Sequence, residues 1–140
     1  MGAQCHERQR LMPVNESTLA PLVFDQLQQA MAGDPAGFTE LYHDYLADAW
    51  LALRILGDAV RQQQSEEVRV KAHHLKGSSM VLGARAVAQC ASALEEMGRS
   101  ADIRTAGAML EQTRLALLAV QAELSIRLGV EVVPANETAA

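Results

Sequence analysis

The segment Lys71-Ala72-His73-His74-Leu75-Lys76-Gly77-Ser78-Ser79-Met80-Val81-Leu82-Gly83 holds the residues whose types and order suit chemistry. A neutral imidazole nitrogen is a competent nucleophile near neutral pH. Two cations close to His73 in helical register, Arg69 and Lys76, would attract a phosphoryl group. Gly77 weakens a helix, but it removes side-chain bulk one turn from the imidazole, where a second protein would approach. Met80 offers such a partner a soft apolar contact.

These roles require a helix. Val68, Ala72, Leu75, Ser79 and Leu82 follow 4-3-4-3 spacing and define a core-facing stripe. At about 100° per residue, His73 points about 140° away from that stripe, with Arg69, Lys76, Gly77 and Met80 on its side. His74 falls on the opposite flank, so the two adjacent histidines do not share a face. A surface histidine on a helix is ordinarily only solvated. The neighbours of His73 set it apart.

Four further helices complete the expected frame. The first spans about 18–31, capped by Ser17 or Thr18, with Pro21 in its first turn and Gly33 as its stop. The second starts near Pro35 behind an Asp34 cap, can be followed to Gln63, and carries Phe38, Leu41, Tyr42, Tyr45, Ala49, Leu53, Leu56 and Val60 as its stripe. The helix bearing His73 starts at Ser65, with Glu66 and Glu67 at its positive end, and stops at Gly83. The fourth spans about 84–97, with Val87, Ala91, Leu94 and Met97 inward and Gly98 as its stop. The fifth spans about 102–128, capped by Asp102 and ended by Gly129, with Ile103, Leu110, Leu117, Val120, Leu124 and Leu128 inward. The expected fold is all-α: an antiparallel up-down four-helix bundle with a short N-terminal lid helix. Residues 1–16 read as a flexible N-terminal arm, 17–129 as the bundle domain, and 130–140 as a flexible C-terminal tail.

The composition agrees with one globular domain. Among 140 residues, 49% are hydrophobic and 21% charged. Twelve Lys+Arg are dispersed among 17 Asp+Glu, for a net charge of -5, which argues against nucleic acid bound through a basic face. No apolar run approaches a membrane span, and no secretory leader is evident. The two cysteines, Cys5 and Cys90, are too few for a disulfide framework or a cysteine metal site and point to a reducing, cytoplasmic compartment. Cys90 is expected to be a small core residue, Trp50 to pack at the bundle edge, and His43 and His6 to have no chemical role.

Residues 72–83, AHHLKGSSMVLG, resemble the signature of the histidine-containing phosphotransfer (HPt) domains of phosphorelays. The matching positions are His73, Leu75, Lys76, Gly77, Ser78 and Gly83. Asp34-Pro35, the phrase Leu41 to Asp48 (LYHDYLAD) and Leu94-Glu95 fit the family's layout as well, so the resemblance covers about residues 17–128. Trp50 departs from it, standing where a proline is common. The resemblance implies that His73 is the phosphoacceptor, that Lys76 and Gly77 support it electrostatically and sterically, and that Glu95 lies near it on the neighbouring helix. It implies receiver domains of response regulators and of hybrid sensor histidine kinases as partners, bound around Arg69 and Met80. No cofactor is implied for the chain itself, because the receiver brings Mg²⁺. The chain shows no phosphate-binding loop and no kinase glycine loop, so it is expected to be a monomeric phosphocarrier rather than an enzyme acting on ATP. The alternative is a helical adaptor that binds a receiver or kinase without carrying phosphate. A metal or haem bundle fits poorly, since repeated Glu-x-x-His sets are lacking. A fragment of a chemotaxis kinase is the remaining reading.

Overall fold

The computed structural model describes residues 19–129, and among these every regular element is an α-helix. They are α1 (Pro21–Ala30), α2 (Pro35–Arg61), α3 (Ser65–Leu82), α4 (Arg85–Ser100) and α5 (Ala106–Leu128). Helices α2 to α5 pack each on the next, and α5 returns to α2, which closes a ring around one core. Helix α1 rests on α2 and α3. The arm and tail expected at 1–16 and 130–140, and the caps expected at Ser17 and Thr18, lie outside the described residues.

Local chemistry explains the boundaries. The Asp34 carboxylate accepts from the Gly37 backbone N–H at 3.0 Å, and Pro35 follows in the first turn of α2. Helix α3 ends on Gly83, whose φ of +84° is left-handed. The Gly83 carbonyl accepts from Ala20 N–H at 2.7 Å, so the entry to α1 is pinned to the end of α3.

The core stripe of α3 is buried at every expected position: Val68, Ala72, Leu75, Ser79 and Leu82. Ser79 is tolerated there because its hydroxyl pairs with the buried Tyr45 hydroxyl at 2.7 Å. Tyr42 donates to the Leu82 carbonyl at 3.0 Å. These two bonds fix α3 against α2 and hold the helix that carries His73. Trp50 is buried, and its indole N–H donates to Gln121 on α5 at 2.9 Å.

Several expectations need correction. Helix α1 spans only Pro21–Ala30, and its N-cap Ala20 makes no side-chain cap; Leu22 is exposed, while Phe24 is buried. Helix α2 stops at Arg61 rather than Gln63, which takes a positive φ of 56°. Helix α5 starts at Ala106, not Asp102. The Asp102 carboxylate is engaged by the Arg104 guanidinium at 2.8 and 3.0 Å in the preceding turn, so it caps no helix. Cys90 is half-buried rather than fully in the core, and burial pushes its thiol pKa up.

Gly98 is not a stop. Helix α4 continues past it to Ser100 and ends at Ala101, whose φ is +61°. A Cβ on Gly98 would lie 2.6 Å from the Arg69 backbone N and the Ser65 carbonyl O. Glycine is therefore required by the close approach of α3 and α4, the most extensively packed pair. Gly98→Ala should destabilise the protein by about 1–3 kcal/mol through overpacking, despite alanine's better helix propensity. Urea unfolding checks this; an unchanged midpoint would mean that α3 and α4 separate freely at this point.

Candidate functional site

Helix α3 presents His73 on an exposed face, with 59% of its side chain accessible. Helix α4 brings Glu95 to it from the neighbouring side. Glu95 is buried by the α3–α4 packing, yet three cationic or ring N–H groups converge on its carboxylate. His73 Nδ1 lies 3.0 Å from Oε2, Lys76 Nζ lies 2.7 Å from Oε1, and Arg99 Nη2 lies 3.2 Å from Oε2. A carboxylate so enclosed stays ionised. The Lys76 hydrogen bond chiefly, and that of His73 after it, outweigh the opposing effect of burial and hold the Glu95 pKa at about 2.

The charge state of Glu95 fixes the histidine tautomer. A carboxylate only accepts, so the proton of this bond resides on Nδ1. In the neutral ring the lone pair then belongs to Nε2. A nucleophile of defined orientation results, because the ring is held through one nitrogen while the other remains for chemistry. Lys76 is partly buried, and its ammonium is kept beside the imidazole by the same carboxylate.

Gly77 is exposed, and a Cβ placed on it meets nothing within 4 Å. Internal packing therefore does not require this glycine, in contrast to Gly98. Beyond it, Met80 is 62% exposed and Val81 is 67% exposed. Leu22 of α1 is 68% exposed, on the helix seated at the Gly83 end of α3. An apolar margin thus adjoins the His73 face.

Not every expected neighbour joins the cluster. Arg69 forks onto Glu66 of its own helix, through Nε at 3.0 Å and through Nη2. His74 lines a groove between α2 and α3 with Asp48, Leu51, Lys71 and Ser78, away from Glu95. His43 is exposed on α2. Arg99 was missed by sequence reasoning. The signal was present as the four-residue step from Glu95 to Arg99 on one helix, a spacing that pairs acid with base. Arg99 also holds Glu96 at 2.9 Å, so it clasps two acids.

A family model described as the Hpt domain matches residues 40–124, which include α3, α4 and most of α2 and α5. Among solved structures, the chain is similar to histidine-containing phosphotransfer protein B (HptB) from Pseudomonas aeruginosa PAO1. The match has a TM-score of 0.74 and 26% sequence identity, and covers 79% of this chain and 94% of that one. No curated protein matches the chain.

Proposed function

Because the chain belongs to the Hpt domain family, we propose that it accepts a phosphoryl group from a receiver-domain aspartate onto Nε2 of His73 and passes it to a second receiver in a two-component phosphorelay. The observation that carries this reading is the Glu95–His73 bond, which commits Nδ1 and leaves Nε2 on an exposed ring.

The Nε2 lone pair attacks phosphorus in line. The N–P bond forms as the bond from phosphorus to the aspartyl oxygen breaks, and the aspartate leaves as a carboxylate. The ring retains its Nδ1 proton and becomes positively charged, and the Glu95 carboxylate at 3.0 Å stabilises that charge as it develops. Lys76 faces the transferring phosphoryl oxygens, with the Mg²⁺ of the receiver completing their neutralisation. In the second transfer the roles reverse: the N–P bond breaks and an aspartyl phosphate forms. Positioning and electrostatics account for most of such catalysis, and here they are assembled only in the complex.

The receiver docks over Gly77, with Met80 as an apolar contact and Arg69 at the rim. Helices α2 to α5 form an antiparallel up-and-down bundle with α1 as its lid, in a cytoplasmic phosphocarrier that does not use ATP. Among the described residues no helix is long and apolar enough to cross a membrane.

Single-turnover transfer from a phosphorylated receiver tests the arrangement. Gly77→Gln should leave folding intact and slow transfer by about tenfold or more, an effect of about 1.4 kcal/mol on the barrier. Met80→Glu should weaken receiver binding, and Lys76→Ala should lower the rate with little change in binding. Normal transfer by a folded Gly77→Gln protein would place the receiver on another face.

A further inference from the structure

The Glu95 carboxylate is held twice over. Its side chain is only 6% exposed, and a charge so buried has to be paired. Two cations pair it: Lys76 Nζ at 2.7 Å from Oε1, and Arg99 Nη2 at 3.2 Å from Oε2. Arg69 also feels the charge of Glu95, but its guanidinium is committed to Glu66.

The two cations reach Glu95 from opposite ends. Along α4, the step from Glu95 to Gly98 leads from His73 and Lys76 to the backbone of Arg69 and Ser65 on α3. Arg99 follows Gly98 and reaches Glu95 from the Ser65 end. Lys76 reaches it from the Gly77 end, where the receiver is proposed to dock. Their tethers differ too. Arg99 also grips Glu96, with Nη1 at 2.9 Å from Oε1, whereas Glu95 is the only acid paired with Lys76 among the described residues.

Phosphoryl transfer would load these cations unequally. A phosphoryl group on Nε2 brings about two negative charges beside Lys76. An ammonium is a point charge with rotatable donors, and it turns toward them. Oε1 then loses its partner just when the ring requires an ionised acceptor at Nδ1. A buried carboxylate without a cation takes up a proton, and in that form it can donate to Nδ1 instead of accepting from it. Arg99 grips Oε2, the same oxygen that His73 uses, and its second hold on Glu96 keeps it from following the phosphoryl group.

We infer that Arg99 is a positioning residue for the transfer: it holds Glu95 as the acceptor of the His73 Nδ1 proton while Lys76 turns to the phosphoryl group. The role rests on the phosphotransfer reading and deepens it, dividing between two cations what one could not do alone.

Arg99→Gln removes the charge from a side chain that is 53% exposed, so folding is preserved. Single-turnover transfer at saturating phosphorylated receiver should slow about fivefold, within the range over which members of one hydrogen-bonded network couple. The receiver concentration at half-saturation should not change, and Arg99→Lys should recover most of the rate. In a Glu95→Gln background, Arg99→Gln should have no further effect, because Arg99 acts through Glu95. Imidazole ¹⁵N NMR of the unphosphorylated chain gives a readout that needs no receiver. Lys76→Ala and Arg99→Gln should each leave His73 in the Nδ1–H tautomer, since one cation remains in each. The double variant Lys76→Ala/Arg99→Gln should lose that tautomer, and Lys76→Ala/Arg99→Lys should keep it. A purely structural arginine would change the melting temperature and leave the tautomer alone. Transfer at the wild-type rate by Arg99→Gln would overturn the inference. So would equal slowing with and without Glu95, or an intact tautomer in Lys76→Ala/Arg99→Gln. A wild-type chain that takes no phosphate from any receiver overturns the phosphotransfer reading itself, and this role with it, whatever the tautomers show.

Discussion

His73→Gln should abolish phosphoryl acceptance while leaving the fold intact. The side chain is 59% exposed, so its replacement opens no cavity and strands no core group. Its loss removes the Nε2 nucleophile, for which glutamine has no substitute. Glu95 keeps two cationic partners, Lys76 and Arg99, and is not left as a lone buried charge. The expected result with a phosphorylated receiver is no acid-labile phosphate on the His73→Gln chain, with an unfolding midpoint near that of wild type. His74→Gln should be labelled at the wild-type rate, because His74 faces the α2–α3 groove. Label retained by His73→Gln, or lost from His74→Gln, would reverse the assignment.

The second large effect is expected at Glu95. Glu95→Gln keeps the shape of the side chain and removes the charge that fixes the imidazole tautomer and offsets the positive ring. Removing the carboxylate partner of a metal-ligating histidine costs about 10- to 100-fold in activity, and by analogy transfer by Glu95→Gln should fall by about that amount. The loss should appear in the transfer step, with receiver binding nearly unchanged.

The same carboxylate predicts a pH signature in stability. Its folded pKa is depressed to about 2 from an ordinary 4.5. A depressed acid stabilises the fold above its unfolded pKa and loses that contribution as pH falls through the folded value. The difference in stability between wild type and Glu95→Gln should therefore be constant from pH 6 to 8. It should shrink as pH drops from 4.5 toward 2. Thermal melts across that range check the sign. A difference that grows on acidification would mean that Glu95 is not held as a carboxylate by Lys76 and His73.

Much of this site was legible because its signals are local. Helix α3 has acids in its first turn and a left-handed glycine at its end, and its core stripe has an unbroken period. Those features fix which way His73 faces before any neighbour is known. The Asp34-Pro35 start of α2 was readable for the same reason. What escaped depends on the approach of one helix to another. Gly98 has the look of a helix stop, and only the α3 backbone against it reveals a packing glycine. Asp102 has the look of a cap, and Arg104 has already claimed it. Arg99 resembles any surface arginine until the burial of Glu95 makes it one of three partners to a single carboxylate.

The central claim is that His73, through Nε2, is where this chain carries phosphate. The most direct measurement combines the wild-type chain, Mg²⁺ and a panel of phosphorylated receivers, with the product mapped by mass spectrometry under base-stable conditions and by ¹⁵N-resolved NMR of the imidazole. The account predicts a single phosphate, on His73, bonded to Nε2, with Nδ1 still protonated. Phosphate on His74 or His43, an Nδ1–phosphorus bond on His73, or an unlabelled chain across the panel would contradict it.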